Sequence, residues 1–72
     1  MKKDVLLLKL GRKIKDIRQQ QNISQEQLAQ RCEFDRTYIS MLERGKRNPS
    51  LLNLKKLSTG LQIKLSTLLE EL

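Results

Sequence analysis

The sequence predicts an all-α fold of five short helices, over about residues 5–21, 24–32, 35–44, 50–59 and 65–72. Three observations predict it. Apolar residues recur at steps of three and four, the period of a helix with one buried face. Small polar residues that cap helix starts (Ser24, Asp35, Ser50) alternate with residues that tolerate helix stops (Asn22, Gly45, Gly60). Only Glu33 and Phe34 separate Cys32 from Asp35, so two of the helices must cross steeply over a tight turn.

Residues 1–4 are polar and terminal, and are expected to fray. In the first helix Leu7, Leu10, Ile14 and Ile17 form an apolar stripe that ends at Gln21. Gly11 lowers its stability without breaking the pattern. Lys9, Arg12, Lys13 and Lys15 read as a solvated basic face, and Asn22 as a left-handed stop. Ser24 starts the second helix, with Gln27 at capping-box spacing. Leu28 and Ala29 face inward, and Ala29 is small enough for close helix approach. Cys32 reads as a small buried hydrophobe, because no histidine is present to activate it.

In the third helix Asp35 is expected to cap the first turn through its carboxylate, and Gly45 to close the last. Ile39 and Leu42 fall on one side. Arg36, Thr37 and Ser40 project from the other, with Met41 and Arg44 further along. One buried edge and one hydrogen-bonding edge suit a helix that enters a major groove. Alone, the same pattern describes an ordinary amphipathic surface helix; the two-residue connector before it gives helix-turn-helix geometry, with Phe34 filling the seam. The basic loop Lys46-Arg47-Asn48-Pro49 follows. Pro49 blocks helix continuation and Ser50 caps the fourth helix, which turns Leu51, Leu54, and Leu57 or Ser58 inward. Gly60 ends it, Leu61-Gln62-Ile63 is expected as an extended link, and Leu65, Leu68, Leu69 and Leu72 mark the last helix.

Seventy-two residues make a single domain, 1–72, whose small core would gain from dimerisation. The net charge is +7. Residues 36–56 alone carry six basic groups against one acidic, so positive charge peaks on and after the third helix. A polyanionic partner follows, either nucleic acid or an acidic membrane surface. Phe34 and Tyr38 are the only aromatics, too few for a base-stacking platform on single strands, and no apolar wedge suits a membrane surface. One cysteine and no histidine exclude a disulfide framework and argue against a metal site. No catalytic constellation or phosphate-cradling glycine loop is present, so neither enzyme activity nor a cofactor is expected. The longest apolar run, Val5 to Leu8, is too short for a membrane span or signal core, so a cytoplasmic protein is expected.

Ser24-Gln25-Glu26-Gln27-Leu28-Ala29, with Tyr38-Ile39-Ser40-Met41-Leu42-Glu43-Arg44-Gly45-Lys46-Arg47-Asn48-Pro49-Ser50, resembles the Cro/phage-repressor type of helix-turn-helix DNA-binding protein over about residues 10–69. Asp35-Arg36-Thr37-Tyr38-Ile39-Ser40 resembles more narrowly the controller proteins of restriction–modification systems. Short phage repressors and antitoxins share much of the pattern and are the alternative; an antitoxin usually adds a toxin-binding tail, which is not expected after Leu72. The resemblance implies a five-helix lambda-repressor-like domain acting as a homodimer on a palindromic operator in double-stranded DNA. It implies base-facing positions at Arg36, Thr37, Ser40 and Met41. Arg36 suits the O6 and N7 of guanine, Met41 a thymine methyl, and the Thr37 and Ser40 hydroxyls either a base or a phosphate. It implies phosphate contacts at Gln25, Arg44, Lys46, Arg47, Asn48 and Ser50. Tyr38 either gives its hydroxyl to a phosphate or packs half-buried against the second helix. Arg18 and Glu43 match a pair that links the first and third helices inside the domain. Lys64 and Gln62 depart from the pattern, standing where a small capping residue and a glycine are usual. Leu65 and Leu68 can complete the core, and Ile63, Leu65, Leu69 and Leu72 are assigned to a two-fold contact through the C-terminal helix. Such a dimer regulates transcription by occupancy: over a promoter it blocks RNA polymerase, and just upstream it can recruit it.

Overall fold

Capping chemistry punctuates the chain at both ends of its helices. The computed structural model describes residues 4–72; residues 1–3, part of the segment expected to fray, lie outside the described residues. Five helices are found among them and no strand: α1 Val5–Gln20, α2 Gln25–Cys32, α3 Arg36–Glu43, α4 Leu51–Gly60 and α5 Leu65–Leu69. Asp4 is not frayed. Its carboxylate accepts the N–H of Leu6 and Leu7 and caps α1. Ser24 and Gln27 close a reciprocal capping box on α2, and Ser50 Oγ accepts the N–H of Asn53 on α4.

Four helices stop the same way. The N–H of Ile23, Phe34, Lys46 and Ile63 reaches back to the carbonyl of Arg18, Ala29, Met41 and Ser58, and the preceding residue closes a shorter bond inside it. This paired arrangement satisfies orphan carbonyls only if one residue turns left-handed. Those residues are Asn22 (φ 58°), Glu33 (φ 60°), Gly45 (φ 72°) and Gln62 (φ 58°). Three of the following residues, Ile23, Phe34 and Ile63, are apolar and pack against the core.

α3 lies against both α1 and α2, α2 also packs on α4, and α5 closes the far side against α1 and α4. Ile14, Leu28, Ile39, Leu42, Leu57, Leu61 and Leu68 are fully buried where these elements meet. Each such side chain contributes roughly 1.5–3 kcal/mol by leaving water. Two glycines set the spacing. A Cβ on Gly11 would collide with the carbonyl oxygens of Leu42 and Glu43, so α1 meets the backbone of α3 only because that position is bare. A Cβ on Gly60 would strike Cys32 Sγ, which fixes the approach of α4 to α2. Gly11, expected as a tolerated weakness, is therefore a packing requirement.

Several expectations need correction. α1 stops at Gln20, α3 is one residue shorter at each end, and α4 is shifted to include Gly60. Asp35 occupies the cap position of α3 but makes no side-chain capping bond; its backbone carbonyl accepts from Tyr38 and Ile39 instead. Leu51 points outward, 69% exposed, because the core-facing stripe of α4 is Leu54, Leu57 and Ser58. Residues 61–63 are a turn, not an extended link, since Gln62 supplies the left-handed conformation where glycine was missed. α5 ends at Leu69 rather than Leu72; Lys64 gives it no side-chain cap, and five residues hold too few bonds to extend it.

Candidate nucleic-acid interface

α3 presents its outer edge to solvent. Arg36 and Thr37 are exposed, and Ser40 and Met41 are half-buried beside them. Because Asp35 does not cap, the first N–H groups of α3 stay open, which adds a positive helix end to the arginine. Arg44 Nε donates to the Ser40 carbonyl (3.3 Å), bending that guanidinium back over the last turn. Arg47 Nε lies 3.4 Å from Met41 Sδ, so the loop after α3 is tied to the helix it follows. Lys46, Arg47, Asn48 and Ser50 are all exposed.

Behind this edge is a polar brace. Arg18 Nε lies 2.7 Å from Glu43 Oε2, its second nitrogen 3.0 Å from Oε1, and its third donates to the Ile23 carbonyl (2.9 Å). The two side chains are only 11% and 3% exposed. Gln25 Nε2 adds a bond to Glu43 Oε1 (3.1 Å), joining the first residue of α2 to the end of α3. One amide hydrogen of Gln25 is thus engaged, and the other is available to a ligand at the α2 N-terminus.

Of the two alternatives that the sequence left open for Tyr38, the structure shows the half-burial. Its ring stands edge-on to Phe34 at 4.9 Å. Across the seam it meets α4: Tyr38 Oη accepts from Asn53 Nδ2 (3.0 Å), leaving its own proton free to donate. Sequence reasoning missed Asn53, for which periodicity carries no signal. Lys56 Nζ sits 5.7 Å from the Phe34 ring centre and covers the seam.

The residues assigned to a two-fold contact divide. Leu69 is 38% exposed, whereas Ile63, Leu65 and Leu72 are half-buried and already pack on the core. Leu69 and Leu72 share an apolar groove with Leu6, Leu10, Pro49 and Leu54. Leu6, which lines it, and Val5, Leu51 and Leu52 are the most exposed large apolar side chains, and the sequence reading did not assign them to a contact. Cys32 is buried against Gly60, and burial pushes its thiol up to about 11, so it stays protonated at neutral pH. Among the described residues no group of three or more metal-ligating side chains comes together, and no helix is long and apolar enough to cross a membrane.

Comparison with known proteins agrees with this geometry. A helix-turn-helix family model matches residues 14–68. The control protein C.MunI of a Mycoplasma species is 46% identical over 66 residues, covering 90% of this chain and 89% of its own. The crystal structure of the restriction–modification controller C.AhdI from Aeromonas hydrophila superposes with a TM-score of 0.84 at 42% identity, over 86% of this chain and 94% of that one. The controller C.Esp1396I, crystallised as a tetramer on its natural 35 base-pair operator, superposes with a TM-score of 0.86 at 37% identity, over 93% of this chain and 88% of that one.

Proposed function

The chain belongs to the helix-turn-helix family, alongside the controllers of restriction–modification systems, and from that premise we propose that it is a sequence-specific double-stranded DNA-binding regulator of transcription. The observation that carries this reading is the open edge of α3, Arg36, Thr37 and Ser40, held rigid from behind by the buried Arg18–Glu43–Gln25 brace. A guanidinium on a braced helix keeps a fixed approach to base edges, which is what discrimination between base pairs needs. Met41, packed under Arg47, gives the same edge an apolar contact.

Phosphates on either side of that groove are held by Gln25 at the start of α2 and by Arg44, Lys46, Arg47, Asn48 and Ser50 after α3. The Tyr38 hydroxyl donates its free proton to the same backbone. These contacts set register and add affinity without sequence preference. Two copies, paired through Leu69 and Leu72 with Ile63 and Leu65 at the edge, set two α3 helices about 34–36 Å apart, matching a palindrome one turn long. The partner is that operator, and the action is occupancy in the cytoplasm without catalysis: exclusion of RNA polymerase from a promoter, or its recruitment from just upstream.

The test is selection of a duplex from a random library, followed by titration against a scrambled duplex at physiological salt. The selected duplex should bind at least about 10³-fold tighter. Equal affinity for both would remove the sequence-specific reading.

A further inference from the structure

A second polar groove lies between α1 and the C-terminal end of α3. Arg12, Lys15, Asp16 and Gln19 line it from α1, and Glu43 and Arg44 from α3. Arg12, Asp16 and Gln19 follow one another at steps of four and three, so one face of α1 is turned to it. Among the described residues the ion pair within 4.0 Å is Arg18–Glu43; Arg12, Lys15 and Arg44 have no carboxylate within that distance. Glu43 lines the groove, but Arg18 and Gln25 hold both its oxygens, so its charge is already compensated. Asp16 is the remaining acid, against three free cations.

The groove also joins two stretches assigned above to the DNA backbone. The Gln25–Glu43 bond puts one end beside the α2 N-terminus. At the other end Gly45 packs on Leu8, a groove residue, so the basic loop begins against α1. An anion that touches both must be extended and carry charge at regular intervals, as a phosphodiester strand does. We propose that Arg12 and Lys15, with Arg44, form a further phosphate-binding track, so that this face of α1 is part of the DNA-binding surface. The inference rests on the reading of the chain as a duplex-binding protein.

The experiment measures affinity against salt for the selected and the scrambled duplex. Arg12→Gln and Lys15→Gln should each lower the slope of log K against log salt by about one, and together by about two. The ratio between the duplexes should stay unchanged, because phosphates carry no sequence. Asp16→Asn should tighten binding to both. Lys64→Gln, which removes an exposed charge at the start of α5, should leave the slope as it was. The proposal is overturned if the double variant keeps the wild-type slope, or if Lys64→Gln lowers it as much, since the charges then act only through the general field. A wild type that binds both duplexes equally, with a slope that still falls in the double variant, keeps the track and removes only the sequence-specific reading. All the substituted residues are exposed, and circular dichroism melts matching wild type establish that each variant is folded.

Discussion

At the scale of single residues, Arg36 and Glu43 separate the two tasks of α3. Arg36→Ala leaves the packing untouched, because the side chain is exposed. It should cost about 1–3 kcal/mol on the selected duplex and relax preference at one base position, read by binding to a panel of single-base variants. A uniform loss across the panel would make Arg36 a phosphate contact. Glu43→Ala acts on the fold, because it strands the Arg18 guanidinium in a nearly closed site. The expected loss is about 3–5 kcal/mol, comparable to the whole stability of a chain this size. Urea unfolding would show it, and Arg18→Met with Glu43→Leu should restore much of it by removing both charges. Cys32 adds a pH dependence. Its thiol titrates at about 11 when folded, against an ordinary 9.0, so the unfolded chain loses this proton first as the pH rises. The stability it contributes is intact below pH 9, and falls by about 1 kcal/mol at pH 10 and about 2 kcal/mol at pH 11. Cys32→Ala should unfold with that part of the alkaline decline missing; an identical decline in both proteins would assign it to other groups.

At the scale of elements, what the sequence disclosed is what depends on local chemistry. The Ser24–Gln27 box, the Ser50 cap and the Asn22 stop are contacts between near neighbours, and each is found where the residues put it. The inward stripes of α1 and α3 follow from the helical period alone. What was hidden depends on a partner distant in the chain. Leu51 looks apolar enough for the core, yet no other element reaches that side of α4. Gly11 looks like a weak point until α3 is laid across it. The link at 61–63 turns instead of running extended, and nothing local announces that a glutamine will turn left-handed there. The same feature gives a prediction. Gln62 and Glu33 bear the steric penalty of that conformation, which glycine does not. Gln62→Gly should therefore raise stability by about 0.5–1 kcal/mol, seen as a higher urea midpoint with an unchanged slope. A lower midpoint would mean that the entropy gained by the unfolded chain outweighs the relief of strain.

At the scale of the whole molecule, a cationic groove and an apolar groove are lined by different residues. The α3 edge, the loop 46–48 and the groove on α1 carry Arg36, Arg44, Lys46, Arg47, Arg12 and Lys15, while Leu6 and Leu69 line an apolar groove and stay exposed. Asn48 and Pro49 belong to that groove and also sit in the loop that follows α3. A second copy seated there would therefore lie close to the DNA-facing loop, and the two loops would approach one another across the two-fold axis. Exposed apolar side chains gathered round one groove suit such a contact better than solvent. Leu69→Glu places a charge at the rim of the groove, on a side chain 38% exposed, so the monomer fold survives it. Sedimentation should then give a species of 8.5 kDa instead of twice that mass. Binding to a single half-site should persist, whereas binding to the full palindrome should fall to the half-site level, because the second α3 is no longer tethered. A variant that remains dimeric moves the interface to Leu51 and Leu52, where Leu52→Glu repeats the measurement. If both variants stay dimeric with their palindrome affinity intact, the apolar groove is not the face through which two copies meet.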